Sequence, residues 1–424
     1  MRISFVLGRP VDNGGQTLAT ARAAVALTEA GHRCEVLIAP GSELPNVATR
    51  EIEPLAKGAS PQDVVRWSRE LAKGQPDLVV VPEGRAERLL AATRVGPTLL
   101  HCQMHWPVCP DAARYWGRLG RECSVKAGWK CLVLRPALGC SGMPQAIDPK
   151  LVSARKRLVE VVAEKEIGVL CISGPQHELL NAQGLEPSRL AVLPNLGMRL
   201  SSDALRSAAS SIPISERSVV AFIGRLNKEK GAALLPEIRS GVGPATLAVY
   251  GDGYLKDALR AQLGASLRGP VSQNYLAGVL QWARAFIFPS LWPEPGGIVG
   301  IDARLFGVPV GAFEVGAAMD WPGTEYFRRG QARAMGEWAG GQDAVDLPRP
   351  AEPIAAAQEE YWRCVGRRGD RLVREFLEKG RFVSQQSNAV HDDLHAALKA
   401  ADDPSAGDVG SPGPPSHREL HQDG

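Results

Sequence analysis

The stretch FIFPSLWPEPGGIVGIDARLFGVPVGAF, residues 286–313, decides the fold of this chain. It opens on a short apolar run, Ala285–Phe288, that has the length of a buried strand. A loop rich in proline and glycine follows, and apolar residues then recur at helical spacing from Ile298 until Gly307 and Pro309 end the pattern. The stretch therefore predicts a strand, a glycine loop and a helix, in that order.

The start of this predicted helix is suited to binding an anion. The first N–H groups of a helix have no intrahelical partner and favour negative charge, so they form a ready site for a phosphate. Two carboxylates lie close by, Glu294 in the loop and Asp302 about one turn into the helix. A buried strand–helix turn with two ordinary surface acids would have the same local pattern. The amides that would form the anion site belong to Gly296, Gly297, Ile298 and Val299.

A second motif lies upstream in VVAFIGRLNKEKGAALLPEI, residues 219–238. Its apolar run Val219–Ile223 predicts another buried strand, which leads directly into Gly224 and Arg225. Lys230 follows five residues after the arginine. The loop after this predicted strand thus carries two basic side chains close together in the sequence.

Taken together, the patterns G-R-L-x-x-x-K-G and P-S-x-x-x-E-P-x-G-x-x-x-x-D-A-x-x-x-G-x-P-V resemble the retaining glycosyltransferases of family 4, the glycosyl transferases group 1, which have the GT-B fold. The resemblance implies that Arg225 and Lys230 hold the diphosphate of a nucleotide-sugar donor. It also implies that Glu294 contacts the donor sugar and that Asp302 binds the ribose. Asp302 departs from the family pattern, which usually has a glutamate at that position. The aspartate side chain is shorter by one methylene group and reaches less far towards the ribose.

Strands and helices alternate along the whole chain, which predicts an α/β protein with two doubly wound, Rossmann-like domains. In the GT-B arrangement these domains face each other across a cleft, and a C-terminal helix crosses back to the first domain. We expect a linker at about 197–216, because that segment is rich in serine, and loops at 323–333 and around Gly340. The predicted parts are an acceptor-binding domain at 1–200 with a cysteine-containing insertion at about 102–140, a nucleotide-sugar-binding domain at 217–378, a crossover helix at 379–400 and a disordered tail at 401–424.

Two further glycine pairs are predicted to approach the donor. Gly14 and Gly15 form the turn before the first helix of a βαβ unit, and the family uses this turn to let the backbone approach the donor phosphate. Gly251 and Gly253 follow a predicted strand in the second domain. For Gly14 and Gly15 the alternative is a turn that needs glycine only for its backbone conformation. The G-x-G pattern at Gly251 and Gly253 counts mainly because it lies between the two motifs above.

The segment HCQMHWPVCP, residues 101–110, contains the candidate catalytic histidine. Some relatives have H-D-Y-W-x-x-C-P here, with the histidine near the reacting centre. Alignment on Trp106 and Cys109 puts Gln103 at that histidine position, while His101 and His105 lie two residues to either side. A histidine there could orient or deprotonate the acceptor hydroxyl. We predict that His105 has this role, with a site that uses neither histidine as the alternative.

Four cysteines within the predicted insertion leave three alternatives open. Their spacings are long and contain no C-x-x-C pair, so a structural zinc site is only one of them. Two disulfides would suit the spacing but not a reducing cytoplasm. Free thiols are the third alternative. The residues concerned are Cys109, Cys123, Cys131 and Cys140.

Composition narrows the range of partners and locations. The formal net charge of +3 over 424 residues gives no reason to expect nucleic acid as a partner. The chain contains no apolar run of membrane-spanning length and starts without a signal-peptide pattern, so we expect a cytoplasmic protein. The insertion mixes basic residues with Trp116 and Trp129, which suits either contact with the inner face of a membrane or a solvated loop.

The expected reaction is transfer of a sugar, by the resemblance a hexose, from a UDP-, GDP- or dTDP-sugar to a hydroxyl of a small-molecule, glycan or lipid-linked acceptor. Configuration at the anomeric carbon should be retained. Arg225, Lys230 and the helix start could replace the divalent metal that other transferases use, so we expect no catalytic metal. The alternatives are a sugar-nucleotide epimerase or a phosphorylase on the same fold, and a non-catalytic donor-binding subunit.

Overall fold

The computed structural model describes residues 1–7, 14–56, 58–82, 84–140, 149–383 and 388–401. The tail predicted to be disordered lies outside these ranges except for its first residue, and so does most of the loop before Gly14. Within these ranges the chain forms two parallel α/β sheets, each flanked by helices. The expected α/β architecture is therefore confirmed.

The first sheet has seven strands in the order β3-β2-β1-β4-β5-β8-β9, and all neighbours pair in parallel. Its central strands read as continuous apolar runs such as LVVV at 78–81 because helices cover both faces. A short antiparallel pair, β6-β7, lies in the insertion. The strands are β1 (Arg2–Val6), β2 (Arg33–Ile38), β3 (Thr49–Glu51), β4 (Leu78–Val81), β5 (Thr98–Cys102), β6 (Tyr115–Trp116), β7 (Arg121–Glu122), β8 (Gly168–Cys171) and β9 (Leu190–Val192).

Helices connect these strands, and their starts are marked in the sequence. Ser60 and Asp63 form a capping box at the start of the second helix, and the Ser173 hydroxyl caps the sixth. The helices of this half are α1 (Gly15–Glu29), α2 (Pro61–Ala72), α3 (Ala86–Thr93), α4 (Lys130–Leu138), α5 (Pro149–Glu164), α6 (Gly174–Ala182) and α7 (Ser202–Ser210).

The second sheet has six parallel strands in the order β12-β11-β10-β13-β14-β15. Its strands are β10 (Val220–Ile223), β11 (Leu247–Tyr250), β12 (Leu267–Gly269), β13 (Ala285–Phe288), β14 (Val310–Phe313) and β15 (Thr324–Phe327). The remaining helices are α8 (Leu235–Gly241), α9 (Lys256–Leu263), α10 (Gln273–Trp282), α11 (Ile298–Leu305), α12 (Ala332–Gly340), α13 (Ala351–Lys379) and α14 (Ala389–Ala401).

Two local predictions are wrong, and a third segment is more ordered than expected. The serine-rich segment predicted as a linker does join the two sheets, and it contains α7, which packs against α10. The segment 323–333 contains the edge strand β15, which has no fully buried residue and therefore no apolar run to detect. The tract around Gly340 is the end of α12. At all three places the local sequence gives only a weak signal for secondary structure, and tertiary packing decides which structure forms.

The helix that crosses back to the first domain begins earlier in the chain than predicted. It is α13, which packs against α1 where Gly366 approaches Ala26 closely. From the same helix the Tyr361 hydroxyl donates to Asn195 O at 2.9 Å. The helix α14, which overlaps the predicted crossover at 379–400, packs against α13 and α11 instead. One continuous apolar core consequently runs from the first sheet through α13 into the second domain.

Candidate active site

The two sequence motifs of the second domain lie side by side at the carboxyl edge of its sheet. The loops after β10 and β13 are joined because Glu229 O accepts hydrogen bonds from Leu291 N at 2.8 Å and from Trp292 N at 3.3 Å. Gly231 adopts a φ of +71°, and a Cβ there would lie 1.8 Å from Pro289 O. Only glycine therefore allows the two loops to approach so closely.

Lys230 and Glu294 contact each other directly. Their ammonium and carboxylate groups form an ion pair, and Trp292 Nε1 donates to the same carboxylate oxygen at 2.8 Å. The ammonium also lies 5.5 Å from the centre of the Trp292 ring and 5.6 Å from that of Phe288. The structure thus brings together two residues that were predicted to bind the sugar donor, Lys230 and Glu294. It adds Trp292, which the sequence analysis missed although this residue lies within the quoted stretch.

Arg225 is placed differently from Lys230. Its side chain is exposed, and among the described residues its guanidinium forms neither a hydrogen bond nor an ion pair. A guanidinium held on a short loop with all its donors free is well suited to a phosphate from solution.

The helix start predicted at Ile298 is present, and its amides are open. Gly297 is the N-cap with a φ of +60°, and the N–H groups of Ile298 and Val299 make no hydrogen bond to the described residues. Trp321 packs beneath this turn so closely that a Cβ on Gly300 would lie 2.0 Å from its ring. The helix start is therefore rigidly supported and still able to donate hydrogen bonds to an anion.

The first domain reaches this helix start. A Cβ on Gly15 would lie 4.0 Å from Ile298 Cδ1, so the glycine turn before α1 faces α11 across the cleft. Gly14 is the N-cap of α1 and is exposed. On the far wall, Asn195 approaches Gly296, whose hypothetical Cβ would lie 2.9 Å from the Asn195 amide nitrogen. Both domains consequently contribute to one cleft.

The glycines after β11 support the loop that carries Arg225 from behind. A Cβ on Gly251 would lie 1.9 Å from Gly224 O, and one on Gly253 would lie 2.5 Å from Leu226 O. These contacts let the loop after β11 lie directly against the loop that carries Arg225. The observed role of Gly251 and Gly253 is therefore to position that loop, and direct contact with a donor stays a prediction.

Asp302 is buried beside the segment that joins the domains. Its Oδ1 accepts a hydrogen bond from Met198 N at 2.6 Å, while Oδ2 makes none to the described residues. Burial raises the pKa of this carboxyl from 3.8 to about 6, and the nearby Arg22 partly offsets that effect. One oxygen is thus committed to the backbone, and contact of the other with a ribose hydroxyl stays a prediction.

Of the two candidate histidines, His105 lies in the cleft. Its Nε2 is 2.6 Å from Pro293 O, and because a carbonyl can only accept, Nε2 carries the proton. Its Nδ1 is buried and has no hydrogen-bond partner among the described residues, and burial lowers the pKa of the ring to about 4. His105 is therefore neutral at pH 7 with a free lone pair, and it lines a cavity of about 150 Å³ together with Glu294.

His101 has a different environment. It lies on β5 with its ring 2.9 Å from Gln103 Nε2, and Gln103 in turn exchanges two hydrogen bonds with Asn195. Burial lowers the pKa of His101 to about 4 as well. His101 lines a separate small cavity next to α1 and α13 and does not line the cavity of His105 and Glu294.

The four cysteines of the insertion converge on one cavity of about 30 Å³. All eight cysteines of the chain are free thiols in this structure, which corresponds to the third of the three alternatives. Burial raises the pKa of Cys109 to about 11 and that of Cys140 to about 12. Within the described residues no three His, Cys, Asp or Glu side chains are placed to hold a metal ion. Zinc at this cavity stays a prediction.

The insertion also exposes apolar side chains around α4. Trp129 is 71% exposed and Val133 is 59% exposed, with Lys130 between them in the chain. Among the residues that the structure describes, no helix is long and apolar enough to cross a membrane. Peripheral contact with a membrane stays a prediction for this segment.

Comparison with known proteins agrees with the geometry. Residues 217–328 match the family described as glycosyl transferases group 1. No curated protein matches the chain in sequence. Among solved structures, Anabaena HepE in complex with UDP and glucose has a TM-score of 0.61 at 14% identity, covering 89% of this chain and 99% of that chain.

Two further structures are similar over comparable lengths. A glycosyltransferase from Rickettsia africae has a TM-score of 0.59 at 14% identity, covering 89% of this chain and 98% of that chain. A mutant of S. aureus TarM in complex with Fondaparinux, alpha-GlcNAc-glycerol and UDP has a TM-score of 0.55 at 10% identity, covering 94% of this chain and 99% of that chain. With two parallel α/β domains that face each other across a cleft, the chain has the GT-B fold, and residues 217–328 of its second domain match the glycosyl transferases group 1.

Proposed function

We propose that the protein transfers a sugar from a nucleotide diphosphate sugar to an acceptor hydroxyl and retains the configuration of the anomeric carbon. The observation that supports this best is the cluster formed by Lys230, Glu294 and Trp292 beside the open start of α11. A cation, a carboxylate and free backbone amides lie together there, which is the set of groups that a sugar attached to a diphosphate needs.

The diphosphate binds between the two motif loops. The planar guanidinium of Arg225 can donate two parallel hydrogen bonds, and Lys230 supplies a compact positive charge. The free amides at the start of α11 add the partial positive charge of a helix N-terminus. Lys230 exchanges its contact with Glu294 for a phosphate oxygen when the donor enters. The released carboxylate then accepts hydrogen bonds from the sugar hydroxyls, and Asp302 Oδ2 accepts one from the ribose.

Transfer follows from this placement. The bond between the anomeric carbon and the phosphate oxygen breaks while the acceptor oxygen bonds to the same carbon from the same face. The departing phosphate gathers negative charge, which Arg225, Lys230 and the helix start stabilise. The acceptor proton passes to a phosphate oxygen. His105 Nδ1, which is unprotonated and makes no hydrogen bond within the described part of the chain, orients the acceptor hydroxyl.

The groups present provide the stabilisation for which other transferases recruit a divalent cation. We therefore propose metal-independent transfer, with a hexose as the sugar. Contact of the basic insertion with a membrane would suit a lipid-linked acceptor.

A donor screen tests the proposal directly. The protein is incubated with UDP-, GDP- and dTDP-sugars and a mixed acceptor panel, and products are identified by mass spectrometry. UDP-sugars are the first choice because several similar structures contain UDP or UDP-glucose. The expected result is one nucleoside diphosphate released together with a glycosylated acceptor, and no release by Lys230→Ala. Conversion of a donor to its epimer, or binding without turnover for every donor, would refute the proposal.

A further inference from the structure

Arg114 has no place in the mechanism above, yet it lines the same cavity as His105 and Glu294. It lies in the insertion between β5 and α5 and adopts a left-handed backbone conformation with a φ of 52°. The residue is 6% exposed, and Nη1 donates to Val125 O at 3.1 Å. Its guanidinium is thus held firmly at the wall of the cleft.

This guanidinium has no ionic partner among the described residues. The carboxylates that line the cavity are engaged elsewhere, since Glu294 pairs with Lys230 and Glu122 pairs with Arg329 at 3.0 Å. His105 is neutral at pH 7 because burial lowers its pKa. Cys123 is adjacent, but burial raises the pKa of its thiol, so it supplies no negative charge at neutral pH.

A buried and unpaired charge is costly, so proteins keep one where a ligand neutralises it. The remaining lining is formed by prolines, a leucine, a methionine, a glycine and Gln176, which carry no charge. The cavity, at about 150 Å³, has room for a small charged substituent but not for a whole sugar chain. It also lies beside the carboxylate that is proposed to hold the donor sugar.

We infer that Arg114 binds an anionic substituent of the acceptor, a carboxylate or a phosphate, next to the hydroxyl that is glycosylated. This inference rests on the proposed function. An acidic or phosphorylated sugar would present its charge to Arg114 in a bidentate contact, while His105 orients its hydroxyl. A neutral acceptor would leave the guanidinium unpaired and would be selected against.

Calorimetry with simple sugars tests the inference. The protein is first saturated with whichever of UDP, GDP or dTDP binds it, so that the donor phosphate site is filled. Glucose, glucuronate and glucose 6-phosphate are then titrated separately. The variants are Arg114→Gln, Arg114→Lys and, as a matched control, Arg118→Gln, which alters an exposed arginine of the same insertion.

We expect at least one of the two anionic sugars to bind the wild type about tenfold or more tightly than glucose. Preference for glucuronate assigns a carboxylate, and preference for glucose 6-phosphate assigns a phosphate. Arg114→Gln should abolish the preference, Arg114→Lys should keep part of it, and Arg118→Gln should keep all of it.

Equal binding of the three sugars to the wild type would overturn the inference, and so would a preference that survives in Arg114→Gln. Binding of the nucleoside diphosphate is measured in every variant and should not change. If no nucleoside diphosphate binds the wild type, the proposed function fails, whereas the sugar titrations can still be compared without nucleotide.

Discussion

Asp302→Asn should change the way in which the stability of the protein depends on pH. In the folded protein burial raises the pKa of this carboxyl from 3.8 to about 6. A raised pKa means that the carboxyl adds stability below about pH 4, where folded and unfolded states are both protonated. That contribution is lost as the pH rises through about 6, because the unfolded chain ionises freely and the folded protein resists ionisation. Asparagine cannot ionise, and its side-chain oxygen can still accept from Met198 N.

The size of the effect follows from the pKa difference. A shift of about two units corresponds to about 3 kcal/mol, at 1.36 kcal/mol for each unit. The free energy of unfolding of Asp302→Asn, minus that of the wild type, should therefore increase by up to about 3 kcal/mol between pH 4 and pH 7. No discount for solvent screening is needed because Asp302 is only 3% exposed.

Urea unfolding at several pH values, followed by tryptophan fluorescence, measures this difference. Other titrating groups, including Asp320, whose pKa burial raises to about 7, are present in both proteins and cancel. The control is Asp257→Asn, the same substitution at an exposed position of α9. A flat difference for Asp302→Asn would show that its carboxylate is ionised and solvated in the folded protein, contrary to the structure.

The same variant tests the ribose contact. Binding of the free nucleoside diphosphate should weaken in Asp302→Asn at pH 7, because the ribose is present with or without the sugar. Unchanged binding together with the expected change in stability would restrict Asp302 to its contact with the Met198 amide.

Three further predictions concern the remaining groups. Arg225→Ala and Lys230→Ala should each weaken binding of the nucleoside diphosphate about 10- to 100-fold in calorimetry while the circular dichroism spectrum stays unchanged, since each removes a charge-assisted contact; unchanged affinity in both would refute the phosphate assignment. Glu294→Gln should lower turnover far more than it weakens nucleotide binding, and parallel losses would show that Glu294 has no separate role in transfer. Because burial raises the pKa of Cys109 and of Cys140, both thiols should react slowly with iodoacetamide at pH 8 in the folded protein and rapidly in urea. Zinc in the purified protein, measured by mass spectrometry, would mean that the cavity holds a metal, and rapid labelling of both thiols in the folded state would contradict their burial.

Elements with a strong local signal were predicted almost residue by residue. The strand β13 and the start of α11 lie where the quoted stretch puts them, because an apolar run, a glycine loop and a helical repeat each have a distinct period. The loops that carry Arg225 and Glu294 meet because carboxyl ends of parallel strands lie on one edge. That edge could be predicted from the order of strands and helices alone.

Features that depend on distant partners could not be predicted in this way. The helix α7 has a serine-rich sequence and owes its stability to packing against α10, and the edge strand β15 owes its form to pairing with β14. Motif alignment placed Gln103 at the histidine position, yet Gln103 turns to Asn195 and His105 occupies the cleft. A shift of two residues along a loop has no periodic signal, so only the folded chain shows which side chain faces the cavity.

The sequence by itself determined the two parallel sheets, the glycine turns and the residue types at their carboxyl edges, because these follow from short-range periodicity and from backbone conformations that only glycine adopts readily. The tertiary structure alone decided the ionic state and orientation of the groups in the cleft. Glu294 pairs with Lys230, His105 is neutral with its proton on Nε2, and Arg114 is buried without a carboxylate among the described residues. Those properties depend on burial and on the distances between charges. Both arise only when segments that are far apart in the sequence pack together.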